Sequence, residues 1–131
     1  MGGIKVLLDT HALLWWLFDD PGMSKVARDV IADPGNTILV SSASAWEIAT
    51  KHRLGKLPEA GEAATNLGGL LRKARMTELP ISVDHALAAG ALPRPPRDPF
   101  DRMLIAQARL EGLPVVTLDP IFGDYRVPVV W

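Results

Sequence analysis

Cysteine is absent from the 131-residue chain. That excludes a disulfide framework, thiolate chemistry and cysteine-ligated zinc. Histidine is scarce. His11, His52 and His85 are scattered without close ligand spacing, so a histidine-held zinc site is not expected either. There is no glycine-rich phosphate loop, which disfavours nucleotide hydrolysis of that type. No apolar stretch approaches the roughly 20 residues that a membrane span requires. The opening run Met1-Gly2-Gly3-Ile4-Lys5-Val6-Leu7-Leu8-Asp9 is too short and too soon broken for a signal peptide. The lipidation pattern that Gly2 suggests lacks its Ser or Thr. A cytoplasmic protein with no membrane partner is expected. Without repeats, linkers or low-complexity segments, residues 1–131 read as one domain, long enough to bury a core.

Apolar residues make up 48% of the chain and charged residues 22%, as in an ordinary globular protein. The net charge of −1 argues weakly against nucleic acid, but the charge is unevenly spread. Residues 51–109 hold ten Lys and Arg against six Asp and Glu, while the flanking segments are acidic. A basic middle segment suits a polyanionic partner, and it equally suits a normal mixed surface.

Ile4–Leu8 is an almost unbroken apolar run, as expected of a strand covered on both faces. Asp9 ends it, and Thr10 is placed to cap a helix over His11–Phe18. Asp19-Asp20-Pro21-Gly22 turns the chain. A helix is expected over Ser24–Ala32, a strand over Thr37–Val40, and a helix from Ser41–Ser44 to about Leu54. Pro58 to Arg75 reads as one helix or two, weakened by Gly68-Gly69. Thr77–Ile81 is a weak strand candidate, and Ser82 can cap a helix through Ala89. Leu92–Pro99, with four prolines, is a rigid loop before a helix over Phe100–Leu110. Val115–Leu118 and Tyr125–Trp131 are the last strands, with Pro128 marking an edge. The pattern is that of an open parallel sheet with helices on both faces.

Such sheets carry their functional groups beyond the carboxyl ends of the strands. Asp9 ends the first strand and Asp119 the fourth; Glu47 lies in the first turns of the helix after the second. Asp98 and Asp101 start the helix leading to the strand of Asp119. Gathered carboxylates repel, and a divalent cation removes that cost. Mg²⁺ and Mn²⁺ prefer such hard oxygen donors, and their remaining waters serve phosphodiester hydrolysis. Each acid also has a structural explanation. Asp9, Asp98 and Asp119-Pro120 suit helix caps, Glu47 suits a solvated surface position or one favoured by the helix dipole, and Asp101 suits a first-turn position. By pattern alone the chain is an unspecified α/β enzyme or binding domain.

Four ordered blocks narrow this. They are Leu7-Leu8-Asp9-Thr10-His11-Ala12-Leu13-Leu14-Trp15-Trp16, Ser41-Ser42-Ala43-Ser44-Ala45-Trp46-Glu47-Ile48-Ala49 running into Lys51-His52-Arg53-Leu54-Gly55-Lys56-Leu57, Arg97-Asp98-Pro99-Phe100-Asp101-Arg102-Met103-Leu104-Ile105-Ala106-Gln107-Ala108, and Gly112-Leu113-Pro114-Val115-Val116-Thr117-Leu118-Asp119 followed by Phe122. With its acids in register, the chain resembles the PIN-domain family, and within it the VapC toxins of toxin–antitoxin pairs.

The resemblance implies a three-layer α/β/α sandwich with a mostly parallel central sheet. It implies a ribonuclease dependent on Mg²⁺ or Mn²⁺ that cleaves RNA, often transfer RNA or a ribosomal RNA loop, and so inhibits translation. It also implies a VapB-like antitoxin partner and a homodimer. The family's first, second and last acids fall on Asp9, Glu47 and Asp119. Its third falls on Asp101 or Asp98, with Asp101 the better direct ligand and Asp98 an auxiliary. Asp9 and Asp101 would hold the metal most directly, with Glu47 and Asp119 completing the site. Thr10 and Thr117 are placed to support these acids by hydrogen bonds. A non-catalytic RNA- or protein-binding domain, and a metal-dependent hydrolase of DNA or small phosphate esters, stay open as alternatives. Lys51, Arg53, Lys56, Arg94, Arg97 and Arg102 are candidates for phosphate contact. Arg97 and Arg102 lead because they flank the acidic pair. His11 is expected at the site entrance, and Trp15 and Trp16 in the core or at a protein interface.

Overall fold

A computed structural model describes residues 3–93 and 96–131. Arg94 lies outside the described residues. Five strands form one sheet in the order β3-β2-β1-β4-β5, with every neighbouring pair parallel. They are β1 (Lys5–Leu8), β2 (Thr37–Ser41), β3 (Thr77–Leu79), β4 (Val115–Val116) and β5 (Val129–Val130). The helices are α1 (Thr10–Leu17), α2 (Lys25–Ala32), α3 (Ser42–Arg53), α4 (Gly61–Lys73), α5 (Val83–Ala91), α6 (Pro99–Glu111) and the short α7 (Ile121–Asp124). Among the described residues no helix is long and apolar enough to cross a membrane.

The apolar run Val6–Leu8 of β1 is explained by its place at the centre. Alternate strand residues face opposite ways. Val6 and Leu8 enter a core with Leu13 of α1, Ala27 of α2, Ile48 of α3 and Leu71 of α4. Leu7 enters the opposite core with Leu104 and Ile105 of α6 and Phe122 of α7. Val6, Leu7 and Leu8 have no exposed surface. Each such burial stabilises by roughly 1.5–3 kcal/mol. The result is three layers, with α1–α4 on one face and α5–α7 on the other.

Strand order reverses beside β1, because β2 and β3 extend to one side and β4 and β5 to the other. In parallel sheets a crevice opens at such a reversal, beyond the carboxyl ends. Asp9 and Thr117 follow β1 and β4 at that crevice.

Several local expectations are corrected. Asp9, not Thr10, caps α1, accepting from Ala12 N. The segment 58–73 begins with a short 3-10 turn at Pro58–Ala60, and α4 is kinked at Asn66. The last two strands are each only two residues long, and the short α7 intervenes just after Asp119-Pro120, where the sequence offers a helix cap but no helical period. The reason lies in side chains competing for the backbone. Thr117 Oγ1 accepts from Asp119 N and Asp119 Oδ1 accepts from Ile121 N, which curls the chain out of the ladder after Val116.

The kink gives the paired glycines different roles. A carbon added at Gly69 would stand 2.5 Å from Asn66 Oδ1, whereas one added at Gly68 meets nothing nearer than Arg72 at 3.4 Å. Gly68→Ala should therefore stabilise by up to about 1 kcal/mol through helix propensity. Gly69→Ala must first displace the exposed Asn66 amide and should therefore gain less than Gly68→Ala. Urea unfolding of the two variants checks this, and equal effects would refute it.

Candidate active site

Asp9 leaves β1 buried, 7% exposed, with both carboxylate oxygens engaged. Oδ1 accepts from Ala12 N at 2.7 Å, and Oδ2 accepts from the Thr117 hydroxyl at 2.5 Å. Its capping and site roles thus coexist, one oxygen serving the helix and the other reaching across to β4. Burial pushes its pKa up, the bonds from Thr117 and Ala12 and the charge of His11 pull it down, and the charge of Asp119 pushes it up; the net shift is upward.

Glu47 is held by α3 at 5% exposure, which removes the reading of it as a solvated surface group. Oε1 accepts from Thr10 Oγ1 at 2.5 Å, and Oε2 accepts from Lys51, one turn further along the same helix. Thr10 Oγ1 also lies 3.0 Å from Ser44 Oγ. Lys51 is half-buried. Burial lowers its pKa, but the bond and charge of Glu47 and the charges of Asp98 and Asp101 raise it, and the raising effects win.

Asp98 caps α6: its Oδ1 accepts from Phe100 N at 2.8 Å and Asp101 N at 3.2 Å. Asp101 sits at the third helical position, and no described residue donates to its carboxylate. Burial, then the charges of Asp98, Asp119, Glu47 and Asp9, push its pKa up to about 7. Asp119 is exposed, with one oxygen on Ile121 N. All five predicted acids therefore lie within one electrostatic neighbourhood. Two are fixed by hydrogen bonds on both oxygens, while Asp101 is crowded and unpartnered among the described residues.

Helix packing sets the spacing of this group. The rings of Trp46 and Phe100 meet edge to face, with centroids 4.7 Å apart, beside Glu47 and Asp101. Trp15 packs on Trp131 at 5.5 Å. These two tryptophans, with Asp9, His11, Ala12, Leu118 and Asp119, line a cavity of about 270 Å³. His11 is exposed at this cavity, in keeping with its expected place at the site entrance.

Other candidates serve structure instead. Arg102 is a staple, donating to the carbonyls of Ala89, Gly90, Leu92 and Pro96, which consumes the guanidinium that flanks Asp101 in sequence. Arg97 remains exposed. His85 is buried, reciprocally capping α5 with Ser82 and pairing with Glu111 at 3.1 Å. The Glu47 contact of Lys51 was foreshadowed only by their separation of four residues.

Among the described residues, no group of three His, Cys, Asp or Glu side chains stands in a metal-ligating arrangement. The donor chemistry nevertheless fits a hard divalent cation. The group is all carboxylate, and Asp101 is lifted by repulsion that such a charge relieves.

The PIN domain profile matches residues 6–128. Ribonuclease VapC22 of Mycobacterium tuberculosis is 31% identical over 130 residues, covering 96% of this chain and 98% of that protein. Ribonuclease VapC16 of the same organism is 45% identical over 62 residues; that match spans 47% of this chain and only 43% of VapC16. In structure, the chain is similar to VapBC2 from Rickettsia felis, solved bound to a promoter DNA fragment. The TM-score is 0.64 at 17% identity, over 97% of both chains.

Asp101 makes metal-free stability depend on pH. Its folded value of about 7 stands above the ordinary 3.8, so the fold keeps a proton that the unfolded chain has released. The resulting stabilisation is full below about pH 4 and is lost as pH rises through about 7. Its half-buried position screens part of the effect. In chelator, Asp101→Asn should show a shallower decline in stability between pH 4 and 7 and be the more stable protein at pH 8. Urea titrations across that range check it, and parallel curves would count against the crowding of Asp101.

Proposed function

The chain belongs to the PIN-domain family, and from that premise we propose that it is a divalent-metal-dependent endoribonuclease, the toxin of a toxin–antitoxin pair. The observation that carries this reading is Asp101: a carboxylate unpartnered among the described residues and facing the charges of four others at the sheet's switch point. Kinship with two proteins named as ribonucleases favours RNA over DNA or small phosphate esters. The complete set of acids favours catalysis over mere binding.

Asp9 and Asp101 would hold Mg²⁺ or Mn²⁺ most directly, with Glu47 and Asp119 completing the site and Asp98 auxiliary. The bound ion would supply charge neutralisation and activate water for attack on phosphorus. The rest belongs to the chain. Thr117 and Ala12 fix the Asp9 carboxylate, so that its oxygens do not reorganise when substrate arrives. Thr10 does the same for Glu47. The cavity beside Asp9 and Asp119 supplies room for the nucleotide flanking the cut. Inhibition of translation, through transfer RNA or ribosomal RNA, would follow from cleavage, and a VapB-like antitoxin would restrain it.

A second copy of the chain is the further partner. Val83 and Leu87, one turn apart on α5, and Leu110 on α6 are 76%, 67% and 52% exposed. Exposed apolar side chains on two helices that pack together suit an interface between copies. Leu87→Glu should shift the protein to monomer in sedimentation or light scattering while leaving its circular dichroism intact. An unchanged assembly state would exclude this face.

Activity is tested by adding purified protein to RNA and DNA panels with Mg²⁺, with Mn²⁺ and with chelator. RNA cleavage is expected only with a divalent ion, and Asp9→Asn should lower it by at least about a hundredfold. Equal cutting in chelator sinks the mechanism, and preference for DNA or small esters sinks the substrate assignment.

A further inference from the structure

Glu47 is a buried carboxylate, and a buried charge requires both hydrogen bonds and a counter-charge. Thr10 supplies the bond to one oxygen, and the Lys51 ammonium supplies both bond and charge to the other. Among the described residues this is the one ion pair that any of the five clustered acids makes. Arg102 is spent on four carbonyls, so it offers the acids no bond of its own. Lys51 therefore stands where the cluster's positive charge is needed.

We propose that Lys51 is the resident cation of this cluster: its ammonium occupies Glu47 in the metal-free chain and yields that oxygen when a divalent ion binds. The proposal rests on the metal-dependent reading above for the identity of the incoming ion. The exchange follows from simple electrostatics. A dication that takes Glu47 as a ligand repels an ammonium bonded to the same carboxylate. Lys51 is suited to leave, because it is a compact charge on a flexible four-carbon stem and is already part-exposed. Helix α3 places its backbone one turn from Glu47, so the side chain can swing outward without moving the fold. Before metal arrives, the ammonium compensates the charge that would otherwise repel Asp98 and Asp101 across the crevice. Lys51 is thus a positioning residue that acts through Glu47, and its charge competes with the metal.

Mn²⁺ binding to metal-stripped protein, read by calorimetry without RNA, tests this. Lys51→Met should tighten Mn²⁺ binding at least about fivefold, the low end of ordinary coupling between two ligands. The same variant should unfold at a lower temperature in chelator and gain more from added Mn²⁺ than the wild type does. Lys51→Arg, which keeps the charge, should bind nearly as the wild type, and so should Lys56→Met, which removes an exposed charge on the following turn. If Lys51→Met fails to fold, Lys51→Gln keeps a hydrogen-bonding end without charge and carries the same expectation. Unchanged or weaker Mn²⁺ binding in the folded neutral variant overturns the proposal, as does equal tightening in Lys56→Met. Those results leave the nuclease reading intact provided the wild type binds Mn²⁺ and Asp101→Asn does not. A folded wild type that takes up no Mn²⁺ overturns the metal reading and the exchange together.

Discussion

A carboxylate held in a crevice repels every other carboxylate brought near it, and the crevice between β1 and β4 gathers five. The fold meets this constraint unevenly. Asp9 and Glu47, the most buried, have both oxygens bonded, by Ala12 and Thr117 in one case and by Thr10 and Lys51 in the other. Asp98 and Asp119 each spend one oxygen on a backbone N–H nearby. Asp101 receives no such help from a described residue, so the repulsion concentrates there and lifts its pKa to about 7. A cluster arranged for stability alone would not leave its most crowded member without a donor.

The same bonds link chemistry to topology. Thr117 donates to Asp9 and accepts from Asp119 N, so one hydroxyl ties the ends of β1 and β4 and orders the first turn of the connection beyond. That turn shortens β4 and opens α7, whose Phe122 then fills the core beneath Leu7. The local departure from strand geometry is thus set by the needs of the site.

Much of this was legible in the sequence, and the reasons differ by residue. The β1 run announced a strand buried on both faces because apolar periodicity reports burial directly. The acids were legible because strand ends and helix starts are marked by the chain itself, as Asp9 and Asp98 illustrate. Partnership was not legible. Arg102 sits next to Asp101 in sequence, yet its side chain turns to carbonyls of α5 and the loop after it, contacts 6 to 13 residues distant. The Asp9–Thr117 bond joins residues 108 apart, and neither neighbourhood hints at the other. Helix α7 was marked only by the cap-like Asp119-Pro120 pair, because a four-residue helix leaves no hydrophobic period to detect.

The division between fixed and unfixed acids also bears on how such a site can be loaded. Ligands that are hydrogen-bonded in advance keep their geometry and cost little to organise, but each bond occupies a lone pair. Ligands without bonds are free to coordinate, but they repel one another until a cation arrives. A group built wholly of the first kind would be rigid and closed to an ion; one built wholly of the second would unfold its own crevice. Here β1 and α3 carry the bonded acids at the buried floor, while the start of α6 and the end of β4 carry the less-bonded ones toward solvent. An ion entering from solvent would meet the unbonded carboxylate of Asp101 before it competes for the bonded oxygens of Asp9 and Glu47. Burial would then set the order, with attraction first at the rim and exchange of existing partners only at the floor.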